Sequence, residues 1–141
     1  MTHTQNTGLI LAGRLLIALY FLVPGLMKFA APDLHIELME RHNVPAAGVL
    51  LIVAGVANVV GAHLLLTNRH VRLTVLGFVL YILVINFYMH DFWNFEGIEG
   101  QHEMENFIKN LGILAGCLIL AGASRARGLS LTGILTSDAK V

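Results

Sequence analysis

The sequence predicts an all-α integral membrane protein: a bundle of four transmembrane helices, with a short interfacial helix between the first and the second. Three observations carry that prediction. Hydrophobic residues make up 56% and charged residues 13% of the 141 residues, and the mean hydropathy is +0.72, well away from a soluble composition. Four apolar stretches are each long enough, at about 1.5 Å of helical rise per residue, to cross a hydrocarbon core about 30 Å thick. The polar residues collect in the links between those stretches, above all in the interval from His90 to Asn110.

The first stretch, about residues 8–29, carries Arg14 and Lys28 toward its two ends, where long basic side chains can reach the interface. Pro24-Gly25 lies inside it, and Pro24 removes one backbone hydrogen bond and predicts a kink. From Ala30 to Pro45, the residues Leu34, Ile36, Leu38 and Met39 alternate with Asp33, Glu37, Glu40 and Arg41. This pattern predicts an amphipathic interfacial helix that starts at Pro32-Asp33, ends near Asn43 and caps the mouth of the bundle. The second stretch, about 46–66, sets Ala54, Asn58 and Ala62 four residues apart, a face on which another helix can pack closely and Asn58 can bond across the contact. The link Thr67–His70 is short enough to make an antiparallel hairpin with the third stretch, about 71–89. The fourth, about 103–123, contains Gly112-x-x-x-Gly116, which offers a close contact to another helix, in this chain or in a second copy.

Charge placement predicts the topology. Arg69 and Arg72 lie at the second link, and Arg125, Arg127 and Lys140 follow the fourth stretch, whereas eight of the nine carboxylates fall in or beside the first and third links. Basic loops stay cytoplasmic, so both termini are expected there and the His90–Asn110 interval on the outer side. Residues 1–7 hold no Lys or Arg and no cleavage pattern follows, which predicts that the first stretch is retained. No basic cluster speaks for nucleic acid. The single cysteine, Cys117, excludes an intrachain disulfide, a CxxC pair and a cysteine-ligated iron–sulfur cluster, and reads as a small buried hydrophobe. Among the histidines only His63 lies within a stretch, so a haem held between two histidines has no support.

An ionisable or amide side chain in a spanning helix usually faces the bundle interior and a partner. Asn86 and His90 are four residues apart, as are Asn106 and Asn110, so each pair shares a helix face and the two faces can meet. His90, His102 and Glu103 are weak metal candidates, since His and carboxylate suit Zn²⁺ or Fe²⁺ but their spacing matches no strong motif. Glu105 and Lys109 form an ordinary i,i+4 pair. Phe92, Trp93 and Phe95 read as interfacial anchors, and Tyr88, Phe92 and Trp93 also as aromatic walls of a pocket. The ligand-binding candidates are His90, Asp91, Trp93, Lys109 and Asn110, with Lys28 and Arg14 behind them. In this reading a quinone stacks on Trp93, Lys109 and Asn110 bond its oxygens, and Asp91 orients His90 as a proton shuttle.

The order of Arg14-Leu15-Leu16, Phe21, Gly25, Lys28-Phe29, Arg72, His90-x-x-Trp93, Phe107-x-Lys109-Asn110-Leu111 and the closing Gly128-Leu129-Ser130-Leu131 resembles the DoxX family, over roughly residues 10–132. The resemblance implies a small four-helix protein of the bacterial inner membrane, loosely associated with redox work. Relatives include a subunit of an archaeal thiosulfate:quinone oxidoreductase, members linked to quinone or catechol stress, and members that partner thiol-oxidation proteins. It implies a quinone as ligand, a redox partner protein, and the lipid bilayer as surroundings. Many DoxX-like chains carry a Glu where this one has Asn58, and Asn does not titrate, so a proton-relay role for that Glu does not carry over. The alternative is a non-enzymatic scaffold or assembly factor whose outer loop binds a partner protein.

Overall fold

The computed structural model describes residues 7–128 and 134–138. The N-terminal residues 1–6, Leu129–Leu131 of the closing motif and Lys140 lie outside that range. The chain forms α1 (Thr7–Ala30), α2 (Pro32–Arg41), α3 (Ala47–Leu66), α4 (Val71–Met89), a single 3₁₀ turn (Phe92–Asn94) and α5 (Gly97–Ala123), with no strand among the described residues. Helices α1, α3, α4 and α5 are each long and apolar enough to span a bilayer. They run alternately up and down and pack as a ring, α1 on α3, α3 on α4, α4 on α5 and α5 on α1, with α2 lying against α3 and α1. The protein is a four-helix membrane bundle.

Its radial pattern is the reverse of a soluble protein's. Leu80 and Ile119 are 64% and 74% exposed, as side chains facing lipid tails should be, while Asn58, Asn86 and Asn110 are buried between helices. The apolar core at mid-bundle joins Ala18, Phe21, Leu65, Val75, Phe78, Ile82, Cys117 and Leu120. Phe21 and Phe78 stack there with centroids 3.6 Å apart and planes 11° from parallel. Helix α1 stays continuous through Pro24.

Small residues set the close approaches, though not all at the expected positions. A methyl on Gly25 would fall 2.8 Å from Asn58 Cβ and 3.3 Å from the Val59 backbone nitrogen, so α1 and α3 touch because position 25 has no side chain. A methyl on Gly112 would meet nothing within 4 Å, and one on Gly116 only Ile17 at 3.8 Å. The expected Gly-x-x-x-Gly contact is therefore not used within the chain.

The second difference is the start of the last helix. It begins at Gly97, six residues before Glu103, because Gly97 takes a φ of +62° and Gly100 packs against the Phe95 carbonyl, where a Cβ would fall 2.6 Å from the oxygen. His102 and Glu103 thus sit on a helix and not in a loop. At the opposite end the tail returns to the α3–α4 link. Asp138 accepts from the backbone N–H groups of Val71 (2.9 Å) and His70 (3.3 Å) and pairs with Arg127 at 2.5 Å. Burial alone would push the Asp138 carboxyl up, but these bonds outweigh it and hold it below the usual carboxylate range.

Candidate functional site

At the end of the bundle covered by α2, side chains from all five helices line a half-open cavity of about 280 Å³. Helix α1 contributes Tyr20, Phe21, Pro24 and Lys28, and α2 lays His35, Leu38 and Met39 across it. Leu51, Ala54 and Asn58 come from α3, Tyr81, Ile82, Ile85 and Met89 from α4 with His90 just beyond, and Asn110 from α5. The amphipathic pattern of α2 explains its place: Leu38 and Met39 roof the cavity, while Glu37 and Glu40 point away into solvent.

Two polar systems border the cavity. The first is a relay of hydrogen bonds between spanning helices. Tyr20 donates to Asn110 Oδ1 (2.8 Å), Asn110 donates to Asn86 Oδ1 (2.8 Å), and Asn86 donates to the Phe107 carbonyl (3.2 Å). The faces of α4 and α5 that bear Asn86 and Asn110 do converge, as their spacing predicts. The second is the pair His90 Nδ1 to Glu103 Oε2, 2.7 Å apart and mostly sheltered from solvent. Separately, Asn58 donates to the Tyr81 hydroxyl (3.3 Å), linking α3 to α4, and its own carbonyl oxygen is buried with no partner.

The candidates read from the sequence divide into two groups. His90, Asn110 and Lys28 line the cavity. Asp91, Trp93, Lys109 and Arg14 do not. Asp91 is buried, but its partners are His42 (2.6 Å) and Asn94 (2.6 Å), so it ties the α2–α3 link to the link before α5 and does not orient His90. Trp93 is half-exposed and packs edge-on against Phe87 and Phe92. Lys109 points outward and pairs with Glu105 at 3.2 Å; one residue before Asn110, it is turned about 100° away from the face that meets α4. Arg14 lies at the far end of the bundle, beside a second, wider recess that it lines with Arg125, Asn68 and Asp138. Of the weak metal candidates, His90 and Glu103 bond to each other and His102 is exposed. Among the described residues no three His, Cys, Asp or Glu side chains are grouped to hold a metal.

Sequence reasoning missed Tyr20, Tyr81 and His35. A signal existed for two of them. A tyrosine deep in an apolar stretch needs a partner for its hydroxyl, and the two within α1 and α4 both point to polar neighbours across a helix contact.

This geometry can hold a small ring between aliphatic and aromatic walls and bond its substituents at several points. With Glu103 at its Nδ1, His90 presents Nε2 to the cavity edge as a hydrogen-bonding atom.

The family profile that matches the chain is DoxX, over residues 9–91, more than half of its length and ending at the start of the link after α4. The inner membrane protein YphA of Escherichia coli (strain K12) is 28% identical over 113 residues, covering 80% of this chain and 81% of that protein. No solved structure matches the chain.

Proposed function

The chain belongs to the DoxX family, and on that premise we propose that it binds a quinone or a similar one-ring aromatic in the cavity beneath α2, as an accessory to membrane redox chemistry. The observation that carries the reading is the cavity itself: mostly apolar, lined from five helices, with a few convergent polar groups and an imidazole–carboxylate pair at its edge. Its volume of about 280 Å³ exceeds the roughly 150 Å³ that holds benzene in an engineered protein cavity. Lys28 and Tyr81 would donate to ring oxygens, Tyr20, Asn58 and His90 would accept from ring hydroxyls, and Phe21 would flank the ring. Asp91 would hold the covering link in place through His42, and Trp93 would anchor that end at the interface. The setting proposed is the bacterial inner membrane, supported by the likeness to an inner membrane protein, with both termini cytoplasmic and the cavity on the outer side.

The scaffold reading draws on one feature, the exposed ring cluster of Phe87, Tyr88 and Trp93 at the α2 end, which a partner protein would find accessible. A homo-oligomer through Gly112 and Gly116 fits either reading, since neither glycine is closely covered within the chain.

Mass spectrometry of solvent extracts from protein purified in mild detergent separates the two readings. Ligand binding predicts a stoichiometric aromatic in the wild type and in Lys109→Ala, and its loss in Ala54→Phe, which fills the cavity. Bulk phospholipid alone in all three samples would overturn it.

A further inference from the structure

At Tyr20 and at two histidines the hydrogen-bonding polarity of the cavity wall is fixed by the groups behind it. The Phe107 carbonyl can only accept, so Asn86 must turn its nitrogen toward it and its oxygen toward Asn110. Asn110 then presents its nitrogen to Asn86 and its oxygen to Tyr20, which commits the Tyr20 hydroxyl proton. What Tyr20 has left for the cavity is a lone pair. The same logic applies to both histidines. The Ala31 carbonyl, 2.8 Å from His35 Nδ1, requires the proton on that nitrogen and makes Nε2 of the neutral ring an acceptor. A carboxylate oxygen of Glu103, 2.7 Å from His90 Nδ1, does the same there. The fourth acceptor is Asn58 Oδ1, on a residue only 2% exposed whose nitrogen donates to the Tyr81 hydroxyl while the oxygen itself has no partner. Against these stand the Tyr81 hydroxyl proton, the Lys28 ammonium, which already reaches the Pro24 carbonyl at 3.4 Å, and the second N–H of the Asn58 and Asn110 amides.

A quinone brings only acceptors. Its carbonyls could be met by Tyr81 and Lys28, but the lone pairs of Tyr20 and Asn58 would stay unsatisfied in a low-dielectric site, where that is costly. Each hydroxyl of a hydroquinone donates and accepts at once. We infer that the cavity selects the hydroxyl-bearing, reduced form of its aromatic ligand over the oxidised form. This rests on the ring-binding reading above and specifies which member of the redox pair it favours.

The test is equilibrium binding to the full chain in detergent, under anaerobic conditions, of three probes of nearly one shape: trimethyl-para-benzoquinone, the matching hydroquinone, and that hydroquinone's dimethyl ether. The hydroquinone should bind about ten-fold or more tightly than the quinone, as one satisfied buried acceptor implies. The ether, which has no donor, should bind no better than the quinone. Asn58→Leu, close in side-chain volume, should shrink the advantage to a few-fold. Equal binding of hydroquinone and quinone, or tighter binding of the quinone or ether, overturns the inference and leaves ring binding standing. Binding of none of the three overturns both. The wild-type comparison is decisive by itself, so the result does not depend on how well the variant folds.

Discussion

A buried amide in a membrane bundle serves the fold when both of its polar atoms are met, and is open to a ligand when one is not. Asn110 is of the first kind and Asn58 of the second. Asn110→Ala leaves Asn86 Oδ1 and the Tyr20 hydroxyl without partners and should cost about 1–3 kcal/mol. Asn58→Leu removes an oxygen that already has no partner together with one bond to the Tyr81 hydroxyl (3.3 Å), so in detergent without added ligand it should melt between the wild type and Asn110→Ala. Melting of the two variants at the same temperature would contradict this division. Much of the residue scale was legible in advance. The spacing of Asn86, His90 and Asn110 pointed to one meeting place because helical periodicity is a property of the sequence. Lys109 was placed in the site on its chemistry, although periodicity turns it toward Glu105. The His42–Asp91 pair was not legible, because it joins two links 49 residues apart that only the folded bundle brings together.

At the scale of elements, four spans and the short α2 followed from hydropathy and from the alternation of charge and apolar residues. The start of α5 did not. Residues 97–102 are polar apart from Ile98 and include two glycines, the composition of a loop, yet a helix that emerges from the bilayer needs no continuous apolar face in its first turns, and Gly97 and Gly100 shape the entry. The packing contacts were also only partly visible, since a small residue marks where a backbone can approach and not where one does. Gly25→Ala should push α1 away from α3 and lower the melting temperature. Gly112→Ala, with nothing near the added methyl, should be neutral or gain up to about 1 kcal/mol from helix propensity. If both variants melt together, the close approach at Gly25 is not what holds α1 to α3.

For the whole molecule, the two ends differ in charge and in architecture. The end with the α3–α4 link carries Arg69, Arg72, Arg125 and Arg127, and the cavity lies at the other. With Cys117 replaced by Ala, a membrane-impermeant maleimide added to intact cells should label Trp93→Cys and should reach Thr67→Cys only after lysis. The reverse pattern would invert the proposed topology and turn the cavity to the cytoplasm. Binding of an aromatic ring in the space beneath α2 can be caught by photo-crosslinking a one-ring quinone analogue to the protein in membranes and mapping the labelled peptides. Label is expected on the segments that bear Tyr20–Lys28, Leu38–Met39 and Tyr81–His90, suppressed by excess unmodified quinone and absent in Ala54→Phe. Label confined to the apolar groove between α3 and α4 at Val53, Val60 and Leu73, unchanged in Ala54→Phe, would contradict it.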